Sequence, residues 1–398
     1  QIYLTGKSLH LAWTNTLALK KVGITRSTQD PENGVVLKDV SGEPTGIFLE
    51  NAMFLVESKL PTPPAQVIAK QIQEALPSLW RFGITSVHDF DYKPAWIALQ
   101  ELDISNRLKL RVVKNIPVAL INYAASLGIR TGFGSDFLKI GGVKVFMDGA
   151  LGAKTASMLD PYEGDPANKG ILNMDSEAFL EYAIQAADSG LSMTGHAIGD
   201  KAVHEILDGY ERLRDYEMAH GYPRLRHRIE HVQVIHPEDE KRLAKLDVIA
   251  SMQPIHAISD MDAADRYWGK RVDLSYAWKA QLDAGAVLAF GSDSPVESPN
   301  PFWGLYAAVT RKKLDHPEME SWNENQAIGI SDAIRAYTTG AAYAGNLEHS
   351  LGQIKPSFHA DMIVLEKDPY RCDAESLRDT LPIATMIAGE WVFRTSGF

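Results

Sequence analysis

The sequence predicts an α/β fold built on a parallel sheet, and three observations support this prediction. From about residue 80 onward, short apolar runs alternate with longer helical patterns, as expected for strands joined by helices. No G-x-G-x-x-G motif follows a first strand, which argues against a dinucleotide-binding fold. Seven strand–helix units are present, one short of a (β/α)8 barrel. The predicted sheet is therefore either doubly wound or closed as a barrel.

Each predicted strand is a short apolar run, and each predicted helix has apolar residues at helical spacing or a capping residue at its start. The predicted strands are Ile84–Phe90, Leu110–Ile116, Leu138–Asp148, Leu191–His196, His227–Val234, Val248–Pro254 and Ala286–Asp293. The predicted helices are Pro64–Phe82, Ser176–Ser189, Lys201–Asp215, Pro237–Leu246, Tyr276–Ala284 and Pro301–Thr310.

The last part of the chain differs from this alternating pattern. Ala360–Leu365 and Ile383–Phe393 are predicted as two strands, and the polar stretch Glu366–Asp379 separates them. The turn Ala388–Glu390 lies inside the second strand. Two strands alone bury too little apolar surface to be stable, so we expect them to be part of a small β appendage that is incomplete in this sequence.

Composition and charge narrow the function classes. Hydrophobic residues make up 45% and charged residues 23% of the chain, which is ordinary for a globular protein. The net charge of −11 argues against nucleic acid as a partner. No stretch approaches the roughly 18 consecutive apolar residues of a membrane helix. A small-molecule substrate and a second copy of the chain in a homodimer are the expected partners.

The single cysteine and the first residue bear on location. Cys372 alone excludes an internal disulfide and any site built from several thiolates, and it fits a reducing, cytoplasmic location. The chain begins with Gln1 instead of methionine, and no basic or apolar leader follows it. We therefore expect that a segment precedes Gln1 in the complete protein.

Lys144 is the most informative residue of the predicted strands. Alternation along Leu138–Asp148 gives Val143, Val145 and Met147 one face of the strand and Lys144 the other. If the apolar face contacts the helices, Lys144 lies inside the barrel, where a charged amine is costly unless it is paired or neutralised. Two interpretations remain open, an ion pair with Asp148 and a neutral lysine carbamylated by carbon dioxide that bridges metal ions.

Three further residues follow apolar strands, where the active sites of barrels collect. His196 and His231 end successive strands, and neutral imidazole is a common zinc ligand. Either histidine alone is more typical of a structural hydrogen bond, but two at adjacent strand ends would point into one mouth. Asp293 follows the last predicted strand, where it is either a helix cap or a metal ligand that also moves protons.

Other polar residues are candidate substrate contacts. Gln253 and His256 lie at or just beyond the end of Val248–Pro254, where substrate contact and a solvated loop are equally compatible with the sequence. His10 and Trp13, near the start of the chain, either belong to a substrate lid or have no role in the site.

Taken together, these segments resemble the amidohydrolase superfamily, specifically the amidohydrolase family 3 branch that includes relatives of N-substituted formamide deformylase. The similar motifs occur in the same order over nearly the whole chain, which makes the resemblance specific. They are Gly42–Gly46, Gly83–Asp89, Gly141–Gly149, Lys154–Ala156, Pro161–Tyr162, Gly195–Asp200, Arg228–Gln233, Met252–Pro254, Gly291–Val296 and His359–Leu365.

The resemblance implies a (β/α)8 barrel with a β-sandwich made from both chain ends. Residues 1–345 would form the barrel domain with strands two to eight, and residues 346–398 the C-terminal part of the sandwich. The implied metal site holds one or two divalent ions, and zinc is the expected metal. Its ligands would be carbamylated Lys144, His196, His231 and Asp293, with Asp293 as the catalytic residue.

One departure from the family pattern concerns the first strand, which in the family carries a His-x-His pair. No such pair occurs among the 12 histidines of this sequence. The chain is therefore interpreted as lacking strand one, which leaves open whether it is active as given.

The function that the resemblance implies is metal-dependent hydrolysis of C–N bonds in amides or N-formyl amides. Two alternatives are kept. One is a catalytically impaired barrel with a binding or regulatory role, which the missing histidine pair suggests. The other is a metal-dependent hydrolase of esters or lactones, since the shape of the pocket cannot be read from one sequence.

Overall fold

The first part of the chain builds a small antiparallel sheet. The computed structural model describes residues 1–398. Four strands, in the order β1-β2-β4-β3, bury a core of their own around Phe48. The strands are β1 (Tyr3–Thr5), β2 (Leu11–Thr14), β3 (Gly34–Lys38) and β4 (Pro44–Glu50), and two short helices accompany them, α1 (Thr16–Val22) and α2 (Phe54–Glu57).

Seven parallel strands form the central sheet, and their spatial order is the same as their order along the chain. Arg228 of the fifth of these strands contacts His88 of the first, although three strands lie between them, so the sheet must curl. The strands are β5 (Ser86–Asp89), β6 (Arg111–Pro117), β7 (Leu138–Phe146), β8 (Met193–Ala197), β9 (Arg228–His231), β10 (Ile249–Met252) and β11 (Leu288–Phe290).

Helices cover the outer face of this sheet, and most of the 56 residues of the main hydrophobic core lie between the two layers. No helix is long and apolar enough to span a bilayer. The helices are α3 (Ala65–Arg81), α4 (Lys93–Ile104), α5 (Ile121–Ser126), α6 (Ser176–Asp188), α7 (Asp200–His220), α8 (Arg242–Leu246), α9 (Pro254–Trp268), α10 (Trp278–Ala284), α11 (Pro301–Thr310), α12 (Ile330–Arg335) and α13 (Ala341–Ala344).

A third, antiparallel sheet closes the chain. It contains β12 (Met362–Val364), β13 (Ala384–Ile387) and β14 (Glu390–Arg394), and the two outer strands pair only with β13. The predicted strand Ile383–Phe393 is therefore two strands, because the chain reverses at Ala388 and Gly389, both of which have positive φ.

The predicted fold class is confirmed, since the curled parallel sheet fits a (β/α)8-like barrel and the antiparallel sheets are separate from it. All seven predicted strands are present with shifted ends. One local prediction was wrong, because Pro237–Leu246 is a 3-10 turn followed by the short α8. The residues after the strand end at Met252, for which substrate contact and a solvated loop were both left open, begin the helix α9. The division of the chain at residue 345 stays a prediction.

Candidate metal centre

Lys144 points into the barrel, as the alternation along its strand predicts. Val143, Val145 and Met147 are fully buried in the core between sheet and helices. The Lys144 Nζ lies instead over two aromatic rings of the interior, 4.9 Å from the Phe90 centroid and 4.4 Å from the Phe146 centroid. Burial lowers the pKa of the amine to about 8, against the opposing charges of the nearby carboxylates. A minor share of the amine, on the order of a tenth, is therefore neutral at pH 7.

The ion pair between Lys144 and Asp148, one of the two interpretations left open by the sequence, is not formed. Asp148 is fully buried and accepts three backbone hydrogen bonds, from the N–H groups of Ser157, Ile198 and Gly199 at 2.8 to 3.0 Å. The carboxylate therefore organises the loop around His196 and does not neutralise the lysine.

His196 and His231 lie next to each other at the carboxyl ends of β8 and β9, with ring centroids 4.6 Å apart. The Nε2 of His196 donates to the Gly149 carbonyl at 3.0 Å, and the Nδ1 of His231 donates to the Gln253 side-chain oxygen at 2.8 Å. Burial lowers the pKa of both rings, that of His231 to about 3. Each ring is therefore neutral and keeps one nitrogen lone pair that is not used within the chain.

The backbone at His231 and Asp293 explains how both side chains reach the mouth. Strict alternation would send His231 to the same face as Ile229, which is buried against the helices. His231 has φ 81° and Asp293 has φ 56°, a region that residues other than glycine seldom adopt. Such strain persists only where the surrounding structure enforces it, and it is frequent at functional sites.

Asp293, His231 and His256 offer three ligand atoms that all lie within 4.8 Å of one another. The Nε2 of His256 lies 3.4 Å from an Asp293 oxygen and is buried without a well-formed hydrogen bond. Burial raises the pKa of Asp293, but the contact with His256 is the largest of the effects that outweigh burial and hold that pKa below its usual value. A buried ring nitrogen without a partner can present its lone pair to a cation, and an ionised carboxylate can neutralise the charge of that cation.

The structure brings one predicted lid residue into the mouth and leaves the other on the surface. The His10 ring lies 5.1 Å from the ring of His196, and its Nδ1 is 2.9 Å from Glu50. Trp13 is 39% exposed on the outer face of β2, and its substrate role stays a prediction. Glu50 was missed by the sequence analysis, although it follows the Gly42–Gly46 motif by only four residues.

The donor set fits a divalent metal ion. Two or three neutral imidazoles and a carboxylate are typical zinc ligands, and a neutral lysine amine is the form that reacts with carbon dioxide. Of the predicted ligands, His231 and Asp293 belong to the tight cluster, whereas His196 and Lys144 line the same mouth beside it. His256, predicted as a substrate contact, lies in the cluster itself.

Known proteins resemble this chain over almost its whole length. Protein LONG AFTER FAR-RED 3 of Arabidopsis thaliana is 33% identical over 415 residues, covering 98% of this chain and 69% of that protein. The N-substituted formamide deformylase of Arthrobacter pascens is 24% identical over 413 residues, covering 99% of this chain and 74% of that enzyme. The structure of an uncharacterized metal-dependent hydrolase from Pyrococcus horikoshii OT3 superimposes with a TM-score of 0.76 at 29% identity, over 94% of this chain and 72% of that one.

A model of the amidohydrolase family matches residues 1–393. The motif-based resemblance is thereby confirmed, and the structural similarity supports a hydrolase of the metal-dependent kind. Because the match runs nearly from one end of the chain to the other, the chain belongs to the amidohydrolase family.

Proposed function

We propose that this protein hydrolyses C–N bonds of small amides, N-formyl amides among them, with the help of a divalent cation, zinc in the first place. The observation that carries the proposal is the convergence of His231, His256 and Asp293 at the barrel mouth, beside His196 and Lys144. The similarity to an N-substituted formamide deformylase supports the bond type.

The ligands that we assign to the cation are His196, His231, Asp293 and a carbamate on Lys144. His256 is an additional metal ligand. When bound, such a cation lowers the pKa of a water molecule and polarises a carbonyl group. The hydrogen bonds from His196 to Gly149 and from His231 to Gln253 keep the free nitrogens of both rings directed toward the mouth.

Asp293 is the proton carrier of the proposed reaction. Its carboxylate is ionised and lies close to His256, so it can accept a proton from the attacking water and deliver it to the leaving nitrogen. The neutral state of His231 suits a ligand and excludes a role as a proton donor at neutral pH.

Hydrolysis by metal-free and zinc-loaded protein tests the proposal. We expect amine release from N-substituted formamides only after zinc is restored. Asp293→Asn should lower kcat by at least about 1,000-fold, because this substitution removes both a general base and a metal ligand. Asp262→Asn, at an exposed carboxylate that pairs with Lys313, is the matched control and should retain activity.

The same assay separates the other functions. Hydrolysis of esters or lactones but not of amides would contradict the proposed bond type and retain the metal. Folded protein that binds no zinc and hydrolyses nothing in the panel would contradict the proposal as a whole and favour a binding role.

A further inference from the structure

His10 enters the barrel mouth from the N-terminal sheet and is not explained by the proposed metal ligands. Its ring lies 5.1 Å from His196 and 6.5 Å from Phe146, measured between centroids. The His10 side chain is only 13% exposed. Phe146, in contrast, is 42% exposed, which leaves room for an apolar group beside His10.

Glu50 fixes the orientation of His10. One oxygen of its carboxylate lies 2.9 Å from the His10 Nδ1, and the other accepts the Thr155 hydroxyl at 2.6 Å. Only 7% of the Glu50 side chain is exposed, and its backbone has φ 48° and ψ −130°. A buried carboxylate with both oxygens engaged, on a strained backbone, indicates a position that the surrounding structure enforces.

The contact with Glu50 decides what His10 can bind. A carboxylate accepts hydrogen bonds, so the Nδ1 of His10 carries the proton of this contact, and in the neutral ring Nε2 is then the acceptor. The Nε2 atom has no hydrogen-bond partner within the chain. An acceptor beside the reacting centre favours a ligand that presents an N–H or O–H group there.

The segment that carries His10 also forms an ion pair across the barrel mouth from Glu50. Lys7 pairs with Glu297, which lies four residues beyond Asp293 and also accepts the hydroxyl of Ser259. The loop between β1 and β2 therefore reaches across the mouth, from Glu50 on one side to the segment after β11 on the other.

We propose that His10 is a specificity residue that accepts the N–H of a secondary amide, and that Glu50 is the residue that positions it. This inference rests on the proposed amide hydrolysis and narrows it to amides that retain an N–H. Tertiary amides, which carry two substituents on nitrogen, and esters lack this donor and would leave the acceptor unpaired.

Binding to the metal-free protein tests the inference without turnover. The probes are N-hexylformamide and N-hexyl-N-methylformamide, titrated by ligand-observed NMR. We expect wild type to prefer the secondary amide by about 5-fold, the size of one hydrogen bond, and His10→Phe to lose this preference. His349→Phe, at a histidine whose side chain is 89% exposed, is the control and should keep it. Equal binding of the two probes by wild type would overturn the proposal.

The tautomer of His10 provides a second measurement, from ring nitrogen-15 shifts assigned with the His10→Phe variant. The proposal requires a neutral ring with its proton on Nδ1 in wild type, and a mixture of tautomers in Glu50→Gln. Glu43→Gln, at an exposed carboxylate of the same sheet, should leave the spectrum unchanged. A doubly protonated ring, or a proton on Nε2, would overturn the assigned role.

Zinc analysis and kinetics separate this inference from the proposed function. Unchanged zinc affinity in His10→Phe, with a smaller ratio of kcat/KM between the two formamides, supports it. Loss of zinc in that variant would make His10 a metal ligand and overturn the specificity role. If no amide is hydrolysed, the proposed function fails, whereas the binding and tautomer measurements still decide what His10 does.

Discussion

At the residue scale, the structure holds His227 neutral through two different hydrogen bonds. Its Nδ1 accepts the backbone N–H of Met193 at 3.0 Å, and its Nε2 donates to Glu217 at 2.9 Å. A protonated ring would carry a hydrogen on Nδ1 and lose the first of these bonds. Burial lowers the pKa of His227 below its ordinary value of 6.5, against the pull of Glu217.

This arrangement predicts a loss of stability in mild acid. Because the pKa of His227 is lowered in the folded state, the unfolded chain binds more protons below about pH 6.5. The contribution of His227 to the free energy of unfolding is therefore complete above that pH and is lost as the pH drops. Urea unfolding between pH 7.5 and pH 5.5 should show a slope of up to about 1.4 kcal/mol per pH unit from this residue. His227→Gln should flatten the slope, and an unchanged slope would contradict the argument.

Gly149 gives a second prediction at this scale. A Cβ at this position would lie 2.1 Å from the Thr155 hydroxyl and 2.2 Å from a Glu50 oxygen, so Gly149→Ala must displace the carboxylate that orients His10. We expect a loss of about 1–3 kcal/mol in the free energy of unfolding, together with weaker discrimination between secondary and tertiary amides.

Gly152→Ala is the matched control for this substitution, because nothing lies within 4 Å of its added Cβ. Urea unfolding and kcat/KM for both amides check the pair of variants. Equal changes in unfolding free energy and in amide discrimination for the two substitutions would show that the close approach of Gly149 to Glu50 affects neither property.

Single residues also show how far sequence reasoning reached. Lys144 could be placed inside the barrel because strand alternation is a local rule, and His196 obeys the same rule. His231 does not, since its φ of 81° turns it off the face that alternation assigns. Glu50 could not be identified, because its partners Thr155 and His10 are 105 and 40 residues away in the chain.

At the scale of the elements, a buried ion pair joins the barrel to the C-terminal sheet. Arg111, at the start of β6, donates to both oxygens of Asp361 at 2.6 and 2.9 Å, and the side chains are only 2% and 5% exposed. Asp361 also accepts the backbone N–H of Ala388 in the turn between β13 and β14. One carboxylate thus fixes the sheet to the barrel.

Removing this carboxylate should be costly. Asp361→Ala leaves the buried Arg111 charge without a charged partner, with only its hydrogen bond to the Asp136 carbonyl, and we expect a loss of about 3–5 kcal/mol in the free energy of unfolding. Asp379→Ala, at an exposed carboxylate that contacts Arg378, should cost less than about 1 kcal/mol. Urea unfolding of both variants measures the difference, and similar small losses would rule out a joining role for Asp361.

The elements differed in how well they could be predicted. The barrel strands are continuous apolar runs between helices, a signal that survives in one sequence. The resemblance implied a sandwich from both chain ends, but the individual strands of the N-terminal sheet were not assigned, because strands such as Tyr3–Thr5 and Leu11–Thr14 are three and four residues long and are stabilised by pairing with each other. Pro254 was assigned to the end of a strand and begins α9 instead, since proline suits the first turn of a helix.

At the scale of the whole molecule, cation binding should stabilise the fold. The proposed ligands come from β7, β8, β9 and the segment after β11, so they converge only when the sheet is curled. A ligand that binds only the folded chain stabilises it by about 2.7 kcal/mol at 100 times its Kd. Zinc should therefore raise the midpoint of thermal unfolding of the wild-type protein. It should raise the midpoint of Asp293→Asn by much less. Equal shifts in both proteins would place the zinc elsewhere.

The site where a metal ion binds is the most direct test of the account. Crystals of zinc-loaded protein, measured on both sides of the zinc absorption edge, locate the ion without any assumption about activity. The account predicts an anomalous peak between the imidazole of His231 and the carboxylate of Asp293. A peak confined to a surface cluster, such as His204 with Asp208 and Asp239, would contradict it.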